Sequence, residues 1–209
     1  MAEITAAAVK ALRERTGLPM MDCKKALMEC NGDPEAAVEA LRKAGKKTME
    51  KRAGRETAFG LIAIQADMTG PGAMIELLCE SAPVTKNAEF VALANDMVRQ
   101  LVQGPGAKSP EDLLAQASPS KPKETLKDQL DSLSNRIREV FRLQRIVRID
   151  GTCGGYAHHS GGVGVLLRAD GGNAELAKDI CMHIAAMRPS VVNREELDPK
   201  EVDKEREIL

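Results

Sequence analysis

Residues 93–97 read Leu93-Ala-Asn-Asp-Met97, and 83 residues later the chain reads Leu176-Ala-Lys-Asp-Ile180. A shared core of Leu-Ala-x-Asp-apolar at one long offset is the mark of a duplicated unit. Around the first copy, Phe90, Ala94, Met97 and Leu101 recur at spacings of four, three and four. That puts one apolar stripe on a helix opened by Asn87. Upstream, Phe59 to Ala66 and Met74 to Cys79 are apolar runs separated by the turn-forming Asp67-Met-Thr-Gly-Pro-Gly72, which predicts a β-hairpin. Upstream of the second copy, Gly154-Gly-Tyr-Ala-His-His-Ser-Gly-Gly-Val-Gly164 and Val165-Leu-Leu167 repeat the pattern of strand, turn and strand, and Asp170-Gly-Gly-Asn173 leads into the helix. The fold class is therefore α+β, with two related subdomains at 57–150 and 151–209, each a small antiparallel sheet packed by helices.

Between the copies, Gly104 to Glu124 is rich in Gly and Pro and forms a surface excursion, with one short helix opened by Ser109-Pro110. Thr125 with Asp128 forms a capping box for a helix carrying Leu126, Leu130, Leu133, Ile137, Val140 and Phe141. That stripe fits packing on its own subdomain or a coiled-coil seam. A strand follows at Arg145 to Asp150. The second copy has no such helix and third strand before Leu209, so the second subdomain is expected to be incomplete and the chain truncated. An unpaired strand edge there makes a homodimer possible.

The N-terminal residues 1–45 predict three short helices. Thr5 caps the first, with Val9 and Leu12 inward, and Thr16-Gly17-Leu18-Pro19 ends it. The second runs from about Met21 to Cys30 and stops at Asn31-Gly32. Asp33-Pro34 opens the third, which turns Val38 and Leu41 inward. Residues 42–56 then hold seven Lys/Arg against two acids. They read as a basic, solvated helical linker at 46–56, or alternatively as a face for RNA or the ribosome.

Composition excludes several classes. Of 209 residues, 43% are hydrophobic, only 2% are aromatic and Trp is absent, which suits close-packed helices better than a large β-sandwich. No run approaches the length of a bilayer span and the N-terminus lacks the order of a signal peptide, so the expected compartment is the cytoplasm. Net charge falls from +3 over 1–56 through −1 over 57–150 to −3 over 151–209. No segment has the basic, aromatic footprint of a direct nucleic-acid binder. Five scattered cysteines without Cys-x-x-Cys are expected to be reduced and buried, with no metal role. Cys23 and Cys30, seven apart on one helical face, fit the core of the small bundle. The Gly-rich 151–164 segment lacks both phosphate-loop patterns and leads into a strand, so it reads as a hairpin. Adjacent His158 and His159, if on a strand, point to opposite faces and cannot hold one ion. His183 reads as an imidazole at a helix surface. No nucleophile, base and orienting group assemble. The chain reads as a binding protein, not an enzyme, without cofactor or metal.

Several stretches carry a resemblance: Val9-Lys-Ala-Leu-Arg-Glu-Arg-Thr-Gly-Leu-Pro-Met-Met-Asp-Cys-Lys-Lys-Ala-Leu27 with Asn31-Gly-Asp33, Lys51-Arg-Ala-Gly-Arg-Glu-Thr-Ala58, Tyr156-Ala-His-His159 with Val163-Gly-Val165, and Met182-His-Ile-Ala-Ala-Met-Arg-Pro189. Together they resemble the bacterial elongation factor Ts family, guanine-nucleotide exchange factors for elongation factor Tu. The resemblance implies that 1–45 is a ubiquitin-associated (UBA)-like module, and that partner contacts fall on Leu18, Pro19, Met20, Met21 and Lys24 and on His158 and His159. It implies a partner in its GDP-bound and nucleotide-free forms. The family's exchange motif, Thr-Asp-Phe-Val after Cys-Glu, falls on Ser81-Ala82-Pro83-Val84 after Cys79-Glu80. There the family's acidic and aromatic residues wedge beside the magnesium site of the GTPase. With Ala82 uncharged and Pro83 lacking a ring, a blunter apolar wedge of Pro83 and Val84 is expected. An adaptor or chaperone-like module with exchange lost is the alternative. The family also continues past the position of Leu209.

Overall fold

The computed structural model describes residues 4–208. Met1–Glu3 and Leu209, at the outer bounds of the first and last sequence segments, lie outside them. Three helices come first, α1 (Ala6–Thr16), α2 (Met20–Glu29) and α3 (Pro34–Arg52). Thr5 accepts from the Ala8 amide and Asp33 from those of Glu35 and Ala36, satisfying N–H groups that a helix start leaves without partners. Val9, Leu12, Leu18, Cys23, Ala26, Leu27, Ala37 and Leu41 form their common core. Cys23 is fully buried while Cys30 is half-buried. The third helix does not stop at residue 45. It runs unbroken to Arg52, so the basic stretch continues α3 as a helix for most of its length.

The first α+β unit is an antiparallel sheet of β1 (Phe59–Gln65), β2 (Gly72–Cys79) and β3 (Arg142–Ile149) in the order β1-β2-β3. Ala63 faces Ile75 and Leu61 faces Leu77 across β1 and β2, and Leu77 faces Leu143 across β2 and β3. This face is covered by α4 (Ala88–Gln103), on which α6 (Leu126–Ile137) packs in turn, with the short α5 (Pro110–Leu114) between them in the chain. Leu126, Leu130 and Leu133 are all buried in that core, which settles the seam of α6 in favour of its own subdomain. Thr125 and Asp128 make the reciprocal capping box. The sequence reading overruns the end of α6. Arg138 takes the left-handed conformation at φ 65° and its amide bonds Ser134, so the helix ends at Ile137 and Val140 and Phe141 are buried from the following turn. Phe141 meets Phe90 edge to face at 5.0 Å.

The second unit is the hairpin β4 (Cys153–Ala157) and β5 (Gly164–Arg168), followed by α7 (Ala174–Met187) and α8 (Pro199–Ile208). The hairpin lies on the other face of the first sheet. A Cβ at Gly164 would sit 2.6 Å from Ile62 Cγ2, so only a bare backbone permits this approach. The Ile62 amide donates to Gly161 O at 2.8 Å and the Met68 amide to Cys153 O at 2.8 Å, fastening the hairpin to β1 and its turn. Ala177 and Cys181 of α7 are buried against β4 and β5. The chain thus mixes helices with small antiparallel sheets packed by helices, an α+β fold.

Candidate partner-binding surface

Where β2 ends, Cys79 is fully buried and the chain turns into a 3-10 segment, Ala82–Lys86. Pro83 sits in its first turn, where a missing N–H costs nothing. Ala82 and Pro83 are exposed and Ser81 is half-buried. Val84 is not part of the exposed tip. It is only 8% exposed and belongs to the main core, because one turn of 3-10 helix carries the residue after Pro83 back towards β1 and α4. The expected wedge therefore reduces to the Ala82-Pro83 shoulder, with Val84 as its anchor.

The shoulder is tied down from the far end of α6. Glu139 accepts the amides of Glu80 at 3.1 Å and Ser81 at 3.0 Å and the hydroxyl of Ser81. Glu80 in turn accepts the Val140 amide at 2.7 Å and pairs with Arg55 at 3.2 Å. Each carboxylate thus caps the other's strand, through charge-assisted bonds of the stronger class. Burial, with the neighbouring Glu139 carboxylate, pushes the Cys79 thiol up to about 11, which leaves it a neutral packing group at pH 7.

Pro19, just before α2, and Met20, Met21 and Lys24 on it are exposed, Met21 by 69%, and Met28 extends the face of Met21 and Lys24. Residues three, four and seven apart share a helix face, so Met21, Lys24 and Met28 make one apolar surface crossed by a lysine. Leu18 departs from the sequence expectation. At 7% exposure it packs in the module core, since the loop between α1 and α2 turns it inward and accepts the Cys23 thiol on its carbonyl. Asp22 on the same helix pairs with Arg138.

His158 and His159 also differ from expectation. Strand β4 ends at Ala157, so the strict alternation of a strand does not apply to them. Their rings lie together in the turn with centroids 4.1 Å apart, and Tyr156 meets His158 at 6.2 Å. The Ser160 amide donates to His158 Nδ1 at 3.3 Å. The Ser160 hydroxyl lies 2.8 Å from the same nitrogen, so Ser160 orients the His158 ring within the turn. No three His, Cys, Asp or Glu side chains converge as a metal site among the described residues, and no helix there is long and apolar enough to cross a membrane. The arrangement is one of exposed apolar and imidazole patches on a rigid frame, which supports recognition of another macromolecule.

Comparison with known proteins settles the lineage. The family model described as Elongation factor TS matches residues 83–209. Across 211 residues the chain is 40% identical to Elongation factor Ts of Thioalkalivibrio sulfidiphilus (strain HL-EbGR7), covering 99% of this chain and 70% of that relative. The chain belongs to the elongation factor Ts family. Elongation factor Ts of Kineococcus radiotolerans is 40% identical over 214 residues, covering all of this chain and 76% of the relative. That of Photorhabdus laumondii subsp. laumondii is 38% identical over 209 residues, again spanning 70% of the relative. Membership in this family assigns the chain to translation elongation and protein biosynthesis.

Sequence reasoning missed Glu80, Glu139, Arg55 and Arg138. Glu139 lies 58 and 59 residues from the amides it caps, and nothing local marks a carboxylate for such a distant backbone. The one local sign is conformational, a non-glycine residue at φ 65° immediately before it, and that is not written in residue type.

Proposed function

We propose that the chain is a guanine-nucleotide exchange factor that binds elongation factor Tu in its GDP-bound and nucleotide-free forms and promotes GDP release in the cytoplasm. The observation that carries this reading is the exposed Ala82-Pro83 shoulder at the family's exchange-motif position, fixed between a core anchor at Val84 and the Glu139 carboxylate. A rigid protrusion can press on a partner's magnesium and phosphate site, whereas a mobile loop would yield.

No covalent chemistry is required. Speeding release about a thousandfold needs the barrier lowered by roughly 4 kcal/mol, which preferential binding to the nucleotide-free partner supplies. The coupling is reciprocal, so GDP weakens the complex by the same factor that the complex weakens GDP binding. The α2 face of Pro19, Met20, Met21 and Lys24 and the turn bearing His158 and His159 furnish affinity. Direct nucleic-acid contact has no place in the mechanism. The division into a module at 1–45, a linker at 46–56 and two subdomains at 57–150 and 151–209 is part of the same proposal.

A second reading is favoured by one observation, the absence of charge and ring at Ala82 and Pro83. An adaptor would bind elongation factor Tu through the other patches and leave release unchanged. Stopped-flow release of fluorescent GDP at fixed magnesium separates the two. Exchange predicts a saturating acceleration that grows further in the double substitution Ala82→Asp with Pro83→Phe. Tight binding with no acceleration in either protein would leave the adaptor reading standing.

A further inference from the structure

The four residues between α6 and β3, together with Arg142 that opens β3, touch every element that carries a candidate contact except the β4–β5 turn. The Arg138 side chain pairs with Asp22 of α2, and its carbonyl accepts from Arg52 at the end of α3 at 2.7 Å. Glu139 caps Glu80 and Ser81, and the Val140 amide donates to Glu80. Arg142 donates to the carbonyls of Ala53 and Arg55, just beyond α3. The α2 face and the Ala82-Pro83 shoulder are thus fastened to one short turn.

We infer that Glu139 is a positioning residue for exchange, holding the Ala82-Pro83 shoulder in the orientation that a partner GTPase meets while the neighbouring Arg138 holds the α2 face. This inference rests on the proposed function above. Its physical basis is that two amides and a hydroxyl converge on one carboxylate. Hydrogen bonds to a charged group belong to the stronger class, and three on one carboxylate select one loop conformation over alternatives. Glu139 itself stands behind the shoulder and acts through it, so its removal changes how the shoulder presses and leaves the α2 face intact.

The test uses the full chain with Glu139→Ala, Glu139→Gln, Ser81→Ala and Arg138→Ala, each checked for native circular dichroism at 25 °C. Backbone hydrogen exchange at Glu80 and Ser81 reads the positioning directly. Expected is a rise of at least tenfold in exchange rate at these two amides in Glu139→Ala, a smaller rise in Glu139→Gln, which keeps one acceptor oxygen, and none in Arg138→Ala. In GDP release, Glu139→Ala is expected to lower the saturating rate about tenfold with little change in the half-saturating concentration. Arg138→Ala should do the opposite, raising the concentration needed. Unchanged amide exchange in a folded Glu139→Ala protein would overturn the inference, as would equal effects of the Glu139 and Arg138 substitutions on the saturating rate. Should the native chain bind without accelerating release, the exchange reading fails by itself, and the inference is then judged on affinity for nucleotide-free elongation factor Tu. A loss of threefold or more in Glu139→Ala supports it and none refutes it. If Glu139→Ala does not fold, Ser81→Ala and Glu139→Gln decide on the same readouts.

Discussion

Leu93 and Leu176 hold the same place in the repeated motif, as do Met97 and Ile180, yet the first pair is 4% and 0% exposed and the second 52% and 43%. The helices are alike in chemistry. They differ in what lies above them. In the first unit α6 closes over α4 and joins it to the sheet in one core. In the second, among the described residues, no counterpart of α6 or β3 follows, and β5 pairs with β4 alone. Burial is thus decided by the covering element and not by the motif. α4 also begins one turn earlier relative to the motif, so Phe90 of its first turn corresponds to Asn173, the cap of α7.

The contrast can be broken by truncating matched positions. Phe90→Ala removes a fully buried ring and is expected to cost about 4 kcal/mol, and Leu93→Ala about 3 kcal/mol. Leu176→Ala should stay within about 0.5 kcal/mol, as surface substitutions do. Urea unfolding at 25 °C measures all three, and a cost at Leu176 near that at Leu93 would mean that the outer face of α7 is covered in solution. A sharper form uses the caps. Asn87 and Asn173 each accept an amide in the first turn of their helix, so each change to Ala should cost about 1 kcal/mol locally. Hydrogen exchange should register the Asn173 change within α7 alone, and the Asn87 change across the whole first unit.

A further effect, separate from the paired helices, is one of pH. Burial raises the Cys79 thiol from 9.0 to about 11, and raises Cys181 by the same cause without a nearby carboxylate. Between these values the unfolded chain has lost a proton that the folded chain keeps. The stabilisation is therefore complete below pH 9 and is lost as pH rises through about 11. Urea midpoints measured from pH 8.5 to 11 should fall, and fall less in Cys79→Ala. An identical slope in the two proteins would place the titration elsewhere.

The sequence was most legible where the physics is local. The hairpin of β1 and β2, the capping box of Thr125 and Asp128, and the Asn31-Gly32 and Asp33-Pro34 turns all depend on residues within a few positions of one another, and all stand in the structure. The α+β class followed from the repeat in the same way. Side-chain direction inside an irregular segment was not legible. Val84 and Leu18 turn inward, and His158 and His159 come together, because a 3-10 turn, a loop and a hairpin end break the periodicity that sequence reading relies on. Nor could residue type disclose the pairing of Glu80 and Glu139 with each other's backbone, which depends on how β2 and β3 are brought side by side.

The unbroken course of α3 has a mechanical consequence. Its first half belongs to the three-helix core through Ala37 and Leu41, while Gly45 lies against α6, where a Cβ would come within 2.5 Å of the Asn135 amide nitrogen. A helix advances about 100° and 1.5 Å per residue. Adding a single residue between Leu41 and Gly45 would swing Met20 and Met21 about a quarter-turn around the shaft, and four residues would restore the heading one turn further out. The distance between the two ends of the molecule is thus indexed in discrete steps, like teeth on a gear. Changes of length in this segment are tolerated by phase, not by size.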